Sequence, residues 1–372
     1  MKSNGRTYVP ETISETTSND KYLLLLKFID ISVSSVIVGP CVIAYWRGTW
    51  ELMELILFPQ NAGISALISF GLGVFGHIFF TLCQNSFKKS FDPDKRRLTY
   101  YLGSRGYTAI FGIICVNMWR GAWNLCDLFT SRTSLGVIVI LTLIAICLLI
   151  VTKTSRNLTA APFVVATDQR QNYFDISTFF NTHKFHRPGL YILDTFFSAI
   201  FVGTLVVIAW RGVWESLDIV FYRKNAVISA IASLIIGYGV TLITFVLQPI
   251  FRWICGNSIG RLKLFLADTY YLMSFMGSVN VWRGIWMLLD IYLYPDSPLK
   301  SCLISHLVPF LILTFLNCVN SILVRGTAVD GDDVEFPIDY VKLHLQHQRS
   351  RKYAKKLKKD GISPVKERET LM

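Results

Sequence analysis

Charge is scarce in this chain of 372 residues: Asp, Glu, Lys and Arg make up 17% and hydrophobic residues 52%. That balance excludes an ordinary set of soluble domains. The eight cysteines sit mostly inside apolar runs, without CxxC or Cys/His spacing, which argues against a disulfide framework and a metal site. There is no HExxH, no clustered His/Asp set, and no nucleophile with a base at useful spacing, so no enzyme and no cofactor is expected. The first twenty residues are polar, and no cleavable signal peptide is expected ahead of the first apolar run.

What the chain has instead is long apolar runs: Ile31 to Trp46, Ala62 to Cys83, Tyr107 to Trp119, Leu135 to Val151, Thr195 to Trp210, Ala226 to Leu247, Tyr270 to Trp282 and Cys302 to Val324. A helix needs about 20 residues to cross a bilayer. The runs therefore predict an all-α polytopic membrane protein with eight transmembrane helices. Residues 1–30, 84–99, 152–190 and 248–263 and the tail from 325 hold 28 of the 37 Lys and Arg. Basic residues mark cytosolic segments, which predicts a multi-pass protein with both termini in the cytosol. The sequon Asn157-Leu158-Thr159 then lies on the cytosolic side and is expected to carry no glycan.

One motif, WRGxWxxx[DE], occurs four times. Its residues are Trp46, Arg47, Gly48, Trp50 and Glu54; Trp119, Arg120, Gly121, Trp123 and Asp127; Trp210, Arg211, Gly212, Trp214 and Asp218; and Trp282, Arg283, Gly284, Trp286 and Asp290. A shift of 164 residues aligns Asp30 to Gln84 on Asp194 to Gln248 without a gap, with 18 of 55 positions identical. An internal duplication follows. The expected organisation is a polar segment 1–21, a first four-helix half 22–151, a cytosolic linker 152–189, a second half 190–324 and a basic tail 325–372. Each half contains an even number of crossings, so the halves are expected as parallel pseudo-repeats. Each is expected to consist of two helical hairpins, with the WRG corners around one end of a pseudo-fourfold bundle.

On a helix the two Trp and the acid of each copy share a face, and the Gly opens a gap for a neighbouring backbone. The Arg is two turns from its own acid, too far for an easy bond within one helix. Three readings stand: interfacial anchors, a clasp in which each Arg pairs with the acid of a neighbouring copy, or a vestibule in which the four Arg face an anion. Each unit also opens with an ionisable residue, Asp30, Arg105, Asp194 or Asp268. Arg105 and Asp268 occupy equivalent positions with opposite charge, and a pair between them across the two halves is expected. His77 and His306 are read as helix-packing hydrogen-bond formers, and Pro40 and Pro309 as kinks.

From Tyr340 the tail carries ten Lys or Arg against three acids, suited to anionic lipid beside the bilayer. It lacks the aromatic interleaving of a nucleic-acid partner. Its last residues, Thr370, Leu371 and Met372, fit the carboxylate ends that PDZ-type scaffold proteins receive as an added strand.

The stretches "AYWRGTWELMELILFPQNAGISALISFG" and "AWRGVWESLDIVFYRKNAVISA", with four WRG units on eight apolar runs, resemble the fuseless family of animal membrane proteins. The resemblance covers about Phe28 to Arg325. It implies a plasma-membrane protein of presynaptic active zones that places voltage-gated calcium channels and supports synaptic transmission, with a calcium-channel complex as a partner. The competing reading is a transporter or channel for a small solute or anion.

Overall fold

The computed structural model describes residues 25, 26, 28–92, 95–130, 134–168, 173–181, 188–221 and 224–330. The tail beyond Asp330, with Thr370, Leu371 and Met372, lies outside the described residues. Eight long helices account for most of the described chain: α1 Phe28–Ile56, α2 Ala62–Ser90, α3 Arg97–Phe129, α4 Leu135–Val151, α5 Pro188–Val220, α6 Ala226–Gly256, α7 Arg261–Tyr292 and α8 Pro298–Phe315. The described residues form no strand, only an isolated bridge between Ser177 and Gly326. Five helices, α1, α2, α5, α6 and α8, are long and apolar enough to cross a membrane, while α4 is apolar but shorter. In α3 and α7 the apolar run is broken by charge, notably Arg105, Arg120 and Asp127 in one and Asp268, Arg283 and Asp290 in the other.

The helices form two concentric layers. The four WRG helices α1, α3, α5 and α7 make an inner square, each touching the next. Around it, α2 packs on α3, α4 on α5, α6 on α7 and α8 on α1. This corrects the expected hairpins, because the tightly packed partners are not consecutive WRG and non-WRG helices of one unit. The physical reason lies in the glycines. A Cβ on Gly48 would sit 2.5 Å from the backbone N of His306 in α8, and one on Gly284 would sit 2.6 Å from Leu234 in α6. Gly121 likewise admits the Phe70 backbone of α2, and Gly212 admits Thr142 of α4. Each glycine therefore seats its helix on the outer helix that precedes it around the ring.

The outer surface is apolar, with Leu67, Phe75 and Phe79 on α2, Ile140 and Leu143 on α4, Ile235, Leu242 and Val246 on α6, and Leu307 and Leu311 on α8 all exposed. A continuous apolar coat of that kind faces lipid rather than water. The polar residues turn inward, as they must where no solvent can satisfy them.

Both α1 and α5 widen into a π-helical segment, Ser34–Val38 and Phe197–Val202, at matching places in the duplication. Pro40 follows the first, where it withholds a backbone donor, but Thr204 stands at that position in α5. Pro309 lies inside α8.

The end of the bundle opposite the WRG connections is filled by chain rather than by solvent. Residues 152–168 and 173–181, together with Val319–Asp330, fold into the inner square. There Leu158, Phe163, Tyr173, Phe174, Val319 and Ile322 are buried. The irregular backbone is held by its own bonds: Asp168 accepts from the backbone N of Val319 and Asn320, Thr327 N donates to Ser177 O, and Asp330 N donates to Lys153 O. Asn157 of the sequon donates to the carbonyls of Thr154 and Ala328.

Candidate functional site

The four WRG copies meet at the bundle axis. Trp46, Trp119, Trp210 and Trp282 form a closed ring with centroids 5.4, 5.6, 5.5 and 5.6 Å apart in turn. One helical turn on, Trp50, Trp123, Trp214 and Trp286 form a second ring with spacings of 5.8 or 5.9 Å. All eight pairs are edge-to-face, the arrangement that aromatic quadrupoles favour, each worth about 0.5–1.5 kcal/mol. The spacing of four residues puts both rings on the same helix face, so the axis is closed twice.

Behind the rings, each arginine reaches the acid of the preceding copy. Arg47 Nε donates to Asp290 at 2.6 Å, Arg120 Nε to Glu54 at 3.0 Å, Arg211 Nε to Asp127 at 2.7 Å and Arg283 Nε to Asp218 at 2.7 Å. The arginines are buried. Their remaining donors go to hydroxyls on the outer helix: Arg47 to Ser301 and Ser305, Arg120 to Ser65 and Ser69, Arg283 to Ser229 and Ser233. Charged donors satisfied on both sides avoid the several kcal/mol that a lone buried guanidinium would cost. Arg211 differs. The corresponding positions of α4 are Ile138 and Thr142, and Arg211 Nη2 has no partner among the described residues.

These six serines were not singled out from the sequence, although four of them, Ser65, Ser69, Ser229 and Ser233, coincide in the duplication. The signal is a spacing of four in the outer helices, Asn61-Ser65-Ser69 and Asn225-Ser229-Ser233. Each asparagine caps its helix by accepting from the backbone N of Ile64 or Ile228.

Three of the four residues that open the units bond to the plug formed by residues 152–168, 173–181 and 319–330. Arg105 does not pair with Asp268; it forms a 2.9 Å ion pair with Asp168 and donates to Tyr173. The expected pair fails because the folded connection brings a carboxylate closer than the other half can. Asp268 instead accepts from Ser155. Asp194 accepts from Thr178 Oγ1 and the backbone N of Phe180, and Asp30 is buried. Burial pushes the Asp168 carboxyl up from its ordinary value, while Arg105 and the two backbone donors pull it back. Burial likewise pushes Asp330 up, to about 6. His77 Nδ1 bonds to Gly73 O, and His306 Nδ1 bonds to Thr49 Oγ1.

Between the first tryptophan ring and the plug lies a cavity of about 560 Å3. It is lined by all four ring tryptophans, by Val42, His77, Thr81, Met118, Val202 and Val206, and by plug residues including Ile176 and Thr178. Three of the indoles are bonded to plug carbonyls: Trp46 to Ile322, Trp210 to Leu158 and Trp282 to Ala161. Among the described residues, no group of three or more His, Cys, Asp or Glu could hold a metal.

No curated protein and no solved structure matches the chain. A family model described as Fuseless matches residues 25–323, a span that takes in all eight helices, all four WRG copies and most of the plug, and the chain belongs to that family.

Proposed function

We propose that this chain is a non-enzymatic multispan membrane protein that organises partner membrane proteins, with its WRG collar acting as a structural clasp. In this reading all eight helices cross the bilayer. The charged α3 and α7 do so inside the lipid-facing layer, where Arg120 and Arg283 are fully paired. Both termini are cytosolic, following the basic segments. The basic tail rests on anionic lipid, and the C-terminal residues engage scaffold proteins. Family membership supports the finer proposal that the site of action is the plasma membrane of presynaptic active zones, and the partner a voltage-gated calcium-channel complex.

The observation that carries the clasp is the closed collar. Four Arg to acid pairs and two tryptophan rings leave every arginine on a carboxylate, and three of them on serines as well, rather than around a shared aqueous vestibule. The cavity on the plug side favours a second reading, a transporter for a small solute, which would require the collar to open.

One experiment separates them. Arg47, Arg120, Arg211 and Arg283 are changed singly to Gln, and surface delivery is scored with membrane current or uptake in the same cells. The clasp predicts that delivery falls, with no flux at any level of delivery. Normal delivery with altered flux would give first place to the transporter.

A further inference from the structure

The cavity above the first tryptophan ring is not fourfold. Three ring indoles donate to backbone carbonyls of the plug, but the fourth, Trp119, has no acceptor among the described residues and borders the cavity. The same lining includes His77 and Thr81 of α2, Met118 of α3, and Val202 and Val206 of α5.

The hydroxyls on these walls already spend their protons elsewhere. Thr81 donates to His77 O, Thr195 to Tyr191 O, Ser198 to Asp194 O and Thr178 to Asp194 Oδ2. Among the indoles and hydroxyls that line the chamber, the open donor is the Trp119 indole. Both lining arginines stand beside carboxylates, Arg325 acting on Asp168 while its Nη1 donates to Tyr173 O, and Arg156 acting on Asp330. An indole N–H enclosed by protein ordinarily finds an acceptor. A cavity of about 560 Å3 is within the size range of small-molecule sites, roughly 300–1,000 Å3.

We propose that this chamber binds an uncharged, mostly apolar molecule carrying a hydrogen-bond-accepting oxygen, which takes the Trp119 N–H that the plug leaves open. The tryptophans, valines and Met118 cover its apolar body. An anion is disfavoured because the charges of the two lining arginines already act on the Asp168 and Asp330 carboxylates, and a cation because no carboxylate lines the chamber. The site is independent of whether the collar is a clasp or a gate.

The test uses the full chain in lipid nanodiscs with a diazirine-bearing monoacylglycerol as probe. After irradiation, the expected crosslinks map to Met118, Val202 and Val206 and are suppressed by excess unlabelled monooleoylglycerol. Oleate at the same concentration leaves them largely in place. Trp119→Phe keeps an aromatic ring but loses the donor, and labelling should fall roughly fivefold, the equivalent of one neutral hydrogen bond. Ala199→Trp fills the chamber and should abolish it. Should either variant fail to elute as a folded species, the mapping and competition on the unaltered chain decide alone. Crosslinks confined to the outer residues Leu67, Phe75 and Phe79, or labelling that competitor does not suppress, would mean surrounding lipid only and overturn the proposal. Equal competition by oleate would overturn its neutral chemistry.

Discussion

Within each WRG copy every fixed position has a different neighbour: tryptophans meet at the axis, arginine and acid join adjacent copies, and glycine meets the outer helix. The four arginine sites are unequal, however. Asp127 is 12% exposed, whereas Glu54, Asp218 and Asp290 are 41–46% exposed, and only Arg211 lacks serine partners. Asp127→Asn therefore removes the carboxylate charge paired with a buried guanidinium that has no serine partners, at a cost of about 3 kcal/mol. Glu54→Gln leaves Arg120 on Ser65 and Ser69 and should cost about 1 kcal/mol. Thermal melts of the purified variants check the ranking, and equal losses would contradict it. At the plug, burial pushes the Asp330 carboxyl up to about 6 from its ordinary 3.8. The folded state thus holds more protons between those values, and stability must fall as pH rises through that window. Hydrogen exchange at the Asp330 amide, corrected for its intrinsic rate, should quicken from pH 4 to pH 7. Asp330→Asn should flatten that dependence.

At the level of elements, the glycine contacts decide which helices pair. Gly48→Ala drives a methyl into the α8 backbone, where nothing can rotate away, and should destabilise by about 1–3 kcal/mol. Gly71 in α2 has open space around its Cβ position, and Gly71→Ala should be neutral or stabilising by up to about 1 kcal/mol through helix propensity. Differential scanning calorimetry of the two variants in one detergent provides the comparison. The helices themselves were legible because their apolar runs are long and capped by repeated motifs. The pairing was not, since Trp spacing fixes a helix face but carries no direction around a ring. The serines of α2 and α6 stood in plain view as matched positions, yet a serine in an apolar helix reads as ordinary packing until an arginine is set opposite. The plug was least legible. It grips the bundle through backbone carbonyls such as those of Leu158 and Ile322, which leave no side-chain pattern, and Asp168 reached Arg105 from a segment without periodicity.

At the scale of the whole molecule, the duplicated halves are not separate packing units. The outer helix of α5 is α4, from the first half, and the outer helix of α1 is α8, from the second. Two of the four ion pairs, Arg47 with Asp290 and Arg211 with Asp127, also cross between halves. Residues 1–151 expressed alone should therefore be retained and degraded, and co-expression with residues 152–372 should restore delivery. Surface biotinylation of tagged fragments measures this, and delivery of the first half by itself would show that the interlock is dispensable.

The one-way order of the collar also sets a clock. Because every arginine looks back to the acid of the copy before it, Arg47, made first, takes its acid from the last copy, 243 residues later. At a synthesis rate of about 5–20 residues per second, that acid arrives roughly 10–50 s after the arginine. Until then the acid within reach of Arg47 on its own helix is Glu51, one turn on, so the first helix carries a provisional partner that the last copy later replaces.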